Sequence, residues 1–113
     1  MKEIKATIQP QMLSRVIRAL HELPHFPGVT IVKCEGHGRG RGKGGAFVTT
    51  EDTIGFQSKQ RVEIVCTDEI AQDIVDVILR NARTGNPGSG ILTVTDIAHV
   101  VRIGTGETDE RAV

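Results

Sequence analysis

The sequence contains two glycine-rich clusters whose residue types could contact an anion or a partner protein. The first, Gly36–Gly45 (GHGRGRGKGG), places Arg39, Arg41 and Lys43 between glycines. Glycine at alternating positions costs backbone entropy on folding and supplies no packing surface, so this cluster cannot belong to a core. The cluster therefore predicts a mobile, positively charged loop in a chain whose formal net charge is zero.

The second cluster, Thr84–Gly90 (TGNPGSG), has glycines at the spacing of a phosphate-binding P-loop. It is not a Walker motif, because Ile91 stands where lysine should be and the cluster lies between a predicted helix and a strand instead of the reverse. Successive backbone N–H groups in such a turn can still form an anion nest. The alternative is a tight helix-to-strand connection in which Gly88 and Gly90 supply positive φ.

Two other glycine-rich binding motifs, a dinucleotide fingerprint and a nucleic-acid-binding segment, fit the first cluster poorly. Gly36 and Gly38 satisfy part of a dinucleotide fingerprint, but no helix follows to present its N-terminus to phosphates. Phe47 and Phe56 are the only aromatic residues nearby, which is few for base stacking. We therefore expect no nucleic-acid partner.

Metal and catalytic sites receive little support from residue spacing. Cys34, His21, His25 and His37 could be gathered around a metal, but Pro24 breaks the helix that would align the first two histidines, and no compact Cys and His signature is present. No Ser, Cys or Thr has a recognisable base and orienting acid near it in sequence. The sequence predicts neither a metal ligand set nor an enzyme.

Composition bounds the remaining possibilities. With 113 residues, 38% hydrophobic and 25% charged, the chain is the size and type of one small globular domain covering residues 1–113. No apolar run approaches the roughly 20 residues of a membrane span, and the N-terminus lacks a signal-peptide core, so we expect a cytoplasmic protein. In that compartment Cys34 and Cys66 are expected to be small core residues instead of a disulfide.

Hydrophobic periodicity predicts six elements. Alternation predicts strands, and apolar residues at helical spacing predict the two helices. In order, they are a strand Lys2–Gln9, a helix from Gln11 to about Leu23, a strand Val29–Glu35, a strand Arg61–Thr67, a helix from Asp68 to about Arg83 and a strand from Ile91 to about Ile97. A long excursion from Gly36 to about Gln60 separates the second and third strands, and a short apolar run, Val100–Ile103, follows the last strand.

The order strand, helix, strand, strand, helix, strand is that of the ferredoxin-like α+β fold. Two helices can cover only one face of a four-stranded sheet. The other face mixes charged residues and threonine with valine, and a sheet this small gains stability when another subunit covers it. The predicted geometry therefore favours self-association.

Several strings, read together, resemble the PII signal-transduction family over essentially the whole chain. They are MKEIKATIQP before the first helix, VTIVKCEGHGR at the start of the long loop, VEIVCTDE in the third strand, ARTGNPGSG after the second helix and VVRIGTGE near the end.

This resemblance implies a homotrimer of ferredoxin-like subunits with nucleotide sites in the clefts between neighbours. A T-loop at about residues 36–60, a B-loop at about 84–90 and a C-terminal segment at about 100–113 would form the functional parts. Known PII proteins are not enzymes. They sense ATP against ADP, often with 2-oxoglutarate, and regulate ammonium transporters, nitrogen-assimilation enzymes or transcription factors.

The resemblance also assigns site residues. Positions around the adenine are Thr30, Gly36, Glu63 and Val65, those at the loop base are Gly38 and Arg39, and those around the phosphates are Gly88, Ser89, Gly90 and Arg102. Residues of the partner-binding loop are Arg41, Lys43, Phe47 and Lys59.

Departures from the family pattern concern charge. Ile91 replaces a lysine beside the phosphates, and Gly104 replaces a second arginine there. Because each charge-assisted contact contributes about 1.5 to 3 kcal/mol, the binding of ATP should be weakened more than that of ADP or AMP. Gly40 replaces the glutamine that helps to hold Mg²⁺ and 2-oxoglutarate, which weakens the expectation of those ligands. The loop has no tyrosine, which excludes tyrosine uridylylation.

The resulting hypothesis is a divergent PII-like sensor of ADP, AMP or ATP that regulates a partner, such as a membrane transporter, through its T-loop. A neutral nest at Gly88–Gly90 with the Arg102 guanidinium agrees with an anion receiver. One alternative is a metal-responsive trimer of the related CutA type that uses Cys34, His37 or neighbouring histidines. A small-molecule enzyme, with Glu63 or His99 as acid or base, is the other alternative.

Overall fold

The computed structural model describes residues 1–37 and 56–113 and confirms the ferredoxin-like α+β fold. All strand pairs are antiparallel, and the sheet order is β2-β3-β1-β4. The elements are β1 (Lys2–Ile8), a 3₁₀ turn (Pro10–Met12), α1 (Leu13–His21), β2 (Thr30–Gly36), β3 (Gln57–Cys66), α2 (Asp68–Ala82), β4 (Gly90–Asp96) and a second 3₁₀ turn (Asp109–Ala112). None of the helices in these two ranges is long and apolar enough to cross a membrane.

The core lies between the two helices and one face of the sheet. Alternate residues of β1 and β3 point into it, as the period-2 pattern predicts, and Ile4 is paired with Ile64. Val16 and Leu20 of α1 and Ile74 and Ile78 of α2 cover these strands and are almost completely buried. The buried strand residues are Ile4, Ala6, Ile8, Val62, Ile64 and Cys66.

The predicted boundary of β3 was wrong, and the others shift slightly. The strand begins at Gln57 instead of Arg61, so the chain from Gln57 to Gln60, predicted as the end of the excursion, pairs with β2. Side-chain periodicity predicts a strand only where alternate side chains are buried. This part of β3 pairs through its backbone and carries polar side chains, so its sequence shows no such pattern. The helix α1 begins at Leu13 after the 3₁₀ turn, and β4 begins at Gly90.

The two cysteines occupy different faces of the sheet. Both are free thiols. Cys66 is fully buried in the core, as predicted. Cys34 is half-buried and pairs with Lys59 on the face away from the helices, so its assignment to the core was wrong. β2 has apolar side chains on both faces, Ile31 on one and Val32 and Cys34 on the other, so its sequence did not identify the buried face.

The helix-free face of the sheet carries matched charges. In the β-ladder Glu63 pairs with Thr30 on one side and with Lys5 on the other. The Lys5 ammonium lies 3.7 Å from the Glu3 carboxylate, and the Arg61 guanidinium lies 2.9 Å from that of Glu63. Self-association through this face remains a prediction.

Gly90 fixes how β4 leaves the turn that precedes it. Its φ is +118°, and a Cβ built there would lie 1.8 Å from the Thr7 carbonyl oxygen. Gly88 also has a positive φ of +88°. Both positions therefore have the positive φ that favours glycine, as expected if this cluster is a tight helix-to-strand connection.

We expect Gly90→Ala to reduce the free energy of unfolding by more than about 3 kcal/mol, because the methyl group meets backbone and the φ is strained. Urea denaturation measures the effect. Gly104→Ala is the matched control, since a Cβ at Gly104 meets nothing within 4 Å, and it should change stability by no more than about 0.5 kcal/mol. Similar stabilities of the two variants would contradict the close approach.

The thiol of Cys66 should be inert in the native protein. Burial raises the pKa of this thiol, and the thiolate is the reactive form. In the Cys34→Ser variant, we expect a thiol reagent at neutral pH to modify Cys66 only after denaturant is added. The reciprocal Cys66→Ser variant reports on Cys34. Rapid native modification of Cys66 would show that the core is not packed as described.

Candidate functional site

The turn Thr84–Gly90 is shaped by its own hydroxyl groups. The Thr84 N–H donates to Ser89 Oγ at 3.1 Å, and the two hydroxyl oxygens lie 2.8 Å apart. The Ser89 hydroxyl also donates to the Asn86 carbonyl at 3.1 Å. Because Thr84 and Ser89 close the turn at both ends, its backbone geometry is set by local hydrogen bonds.

Two side chains from the sheet converge on this turn. Gln9 Nε2 donates to the Gly88 carbonyl oxygen at 2.8 Å, and Lys59 Nζ donates to the same oxygen at 3.0 Å. Gln9 directly follows β1, and Lys59 lies in β3. The turn is therefore held to both central strands and has a cation beside it.

The end of β2 belongs to the same region. Gly36 pairs with Gln57, and a Cβ at Gly36 would lie 3.4 Å from Lys59 Cγ. Of the predicted site residues, the structure therefore brings Gly36 and Lys59 to Gly88 and to the two residues that follow it, Ser89 and Gly90. Lys59 was predicted as part of a partner-binding loop, and the structure places it in a strand against the turn.

The other predicted adenine residues lie towards the opposite end of the same strands. Thr30 pairs directly with Glu63, and Val65 lies further along β3. The chain advances about 20 Å from Thr30 to Gly36, at roughly 3.3 Å per residue. Within one chain, Thr30, Glu63 and Val65 are therefore not brought together with Gly36 and the turn.

Arg102 is held by the C-terminal segment. Val101 and Thr108 form an isolated antiparallel bridge. Within it, the Arg102 N–H donates to the Glu107 carbonyl at 2.8 Å, and Arg102 Nε donates to the Ala112 carbonyl at 2.9 Å. In the described part of the chain, the side chain of Arg102 thus donates to its own segment and not to the turn.

The same segment contains a contact between a histidine and a carboxylate that the sequence did not predict. His99 Nδ1 lies 3.3 Å from Asp109 Oδ1, which also accepts a hydrogen bond from the Val100 N–H at 3.2 Å. Asp109 has φ +52°. His99, considered as an acid or base from sequence, is more than half exposed and helps to close this segment. Neither this contact nor that of Gln9 has a local sequence signal, because both join residues distant in the chain.

The histidines and Cys34 are not assembled into a metal site. Among residues 1–37 and 56–113, no group of three or more His, Cys, Asp or Glu could hold a metal ion. His21 packs edge-on against Phe26, and His37 packs edge-on against Phe56.

Some predicted site residues lie outside the described part of the chain. They are Gly38, Arg39, Arg41, Lys43 and Phe47, together with Gly40 of the family comparison.

The chain is similar to known proteins over its full length. A family model described as nitrogen regulatory protein P-II matches residues 1–107. Nitrogen regulatory protein P-II of Klebsiella oxytoca is 41% identical, and nitrogen regulatory protein P-II 1 of Escherichia coli strain K12 is 40% identical. Nitrogen regulatory protein P-II of Rhizobium meliloti strain 1021 is 36% identical.

In each of these three comparisons, the alignment covers 100% of this chain and 100% of the relative. The sheet order, the glycine turn tied to β1 and β3, and these full-length matches lead to one conclusion: the chain belongs to the P-II family of nitrogen regulatory signalling proteins.

Proposed function

We propose that this P-II family protein binds an adenine nucleotide in clefts between subunits and regulates a partner protein through the segment between β2 and β3. The observation that carries the proposal is the contact of Lys59 with the Gly88 carbonyl. It joins the glycine turn, a candidate phosphate site, to the strand that ends the regulatory segment.

The turn has the chemistry of an anion receiver. Gly88 and Gly90 have positive φ, which is the backbone geometry that points successive N–H groups to one side in anion-binding nests. The Lys59 ammonium adds a positive charge 3.0 Å from the Gly88 carbonyl oxygen. A phosphate bound at Gly88–Gly90 would compete with the Gly88 carbonyl for this ammonium. The ammonium would then donate to a charged acceptor instead of a neutral one, which gives the stronger hydrogen bond.

The spacing of the site residues supports a site shared between two chains. A single nucleotide that touches both Gly36 and Thr30 must bridge the roughly 20 Å between them, or take the two contacts from different subunits. The second arrangement fits a homotrimer in which Thr30, Glu63, Val65 and Arg102 of one subunit face the turn of the next. The helix-free sheet face is available for that assembly.

Occupancy of the cleft would be transmitted to the partner through the base of the T-loop. Gly36 and Lys59 lie at the two ends of the segment that carries Gly38, Arg39, Arg41, Lys43 and Phe47. A ligand that engages Lys59 would favour the segment conformations compatible with that contact, and partner affinity would follow their population. By analogy with the wider family, we propose that the protein is cytoplasmic and that its partner is a membrane transporter.

The nucleotide preference follows from charge. Ile91 is 70% exposed directly after the turn, at the position where the family has lysine. Fewer cations near the β- and γ-phosphates should favour ADP or AMP over ATP, with Mg²⁺ and 2-oxoglutarate contributing little.

Calorimetric titration with ATP, ADP and AMP tests the nucleotide site. We expect saturable binding that Arg102→Ala weakens at least about tenfold, the value of one charge-assisted contact. Arg18→Ala, an exposed change on α1, is the control and should bind as the wild type does. Heat from none of the nucleotides, or a monomer by sedimentation at saturating nucleotide, would refute the shared site.

A second titration tests the charge assignment. Ile91→Lys should tighten ATP binding relative to AMP by about tenfold, because it adds a cation beside the extended phosphate chain. Ile31→Lys makes the same change at an exposed position on the other edge strand and should leave the ratio unchanged. An unaltered ratio in Ile91→Lys would place the phosphates away from Ile91.

A further inference from the structure

A second candidate binding site lies on the helix-covered face of the sheet, beneath the last turn of α2. It is a cavity of about 270 Å³. Its lining is mostly apolar and comes from three elements: Ala6 and Ile8 of β1, Ile78, Leu79 and Ala82 of α2, and Leu92 of β4.

The cavity follows from small side chains beside an edge strand. Ala6 and Ala82 are buried but carry only a methyl group, so they leave space between α2 and the sheet. Of the strands that the structure describes, β4 pairs only with β1, and Leu79 remains 43% exposed beside it. The apolar surface is therefore reachable from solvent.

One charged side chain lines this cavity. Arg83, the residue after α2, is exposed, and in the described part of the chain no hydrogen bond or ion pair involves its guanidinium. A guanidinium presents parallel N–H donors that match a carboxylate in a bidentate manner. Among residues 1–37 and 56–113, no acidic side chain lines the cavity.

Size and charge together define the ligand class. An apolar cavity of about 150 Å³ holds one benzene molecule, so the space here suits about two fused rings or an equivalent aliphatic chain. A single cation beside an apolar surface is complementary to a single negative charge.

We propose that this cavity binds a small apolar monocarboxylate, with its hydrocarbon body against Leu79 and Leu92 and its carboxylate on Arg83. Ser89 and Gly90 also line the cavity, so such a ligand contacts the glycine turn from the helix side of the sheet. The binding step itself does not depend on a nucleotide site.

Fluorescence titration with 2-naphthoate tests the binding step on the full chain without nucleotide. The sequence has no Trp or Tyr, so naphthyl emission is read without interference from the protein. We expect saturable binding that Arg83→Gln weakens about tenfold, the value of one charge-assisted hydrogen bond. Arg80→Gln, on the exposed surface of α2, is the matched control and should bind as the wild type does.

A neutral ligand of the same shape separates charge from packing. 2-Naphthylmethanol should bind wild type and Arg83→Gln equally, whereas Leu79→Ser should weaken both ligands. Leu79 and Arg83 are partly or largely exposed, so these variants are expected to fold, and circular dichroism checks this. The inference is overturned if 2-naphthoate binding does not saturate, which would also be the result if another subunit covered the cavity. It is likewise overturned if Arg83→Gln and the wild type bind 2-naphthoate with equal affinity.

Discussion

The arrangement of the site depends on the close approach of Gly90 to the backbone of β1. No side chain fits between Gly90 and the Thr7 carbonyl, so β4 is forced to begin directly against the end of β1. This contact places the preceding turn next to Gln9, and through the sheet next to Lys59. One steric constraint therefore positions the glycine turn against the end of β1 and the start of β3, and the pairing of β3 with β2 brings the end of β2 to the same place.

Much of the fold was predictable because burial leaves a direct trace in sequence. The alternation in β1 and the second half of β3, and the helical spacing of Val16, Leu20, Ile74 and Ile78, each report which side chains leave water. The first half of β3 leaves no such trace, because its polar side chains pair through the backbone with β2. The face on which Cys34 lies was not predicted for a related reason. β2 is an edge strand with apolar groups on both sides, so its sequence does not determine which side is buried.

The site was predicted less completely because its contacts join distant parts of the chain. Glycine chemistry correctly indicated positive φ at Gly88 and Gly90. It could not indicate that Gln9 and Lys59 share one carbonyl acceptor, since no local pattern encodes a contact between β1, β3 and a loop near residue 88. Resemblance assigned Thr30 and Gly36 to one ligand, whereas the register separates them along β2.

The paired charges on the helix-free face bear on how identical subunits can meet. Glu3 lies near Lys5, and Glu63 accepts from Arg61, so each acid already has its base within the same chain. A second copy laid on this surface would not have to supply counter-ions for these two carboxylates, so the assembly avoids the cost of burying a charge without a partner. Shape and the aliphatic stems of these side chains would then govern the fit, and added salt would have little to screen.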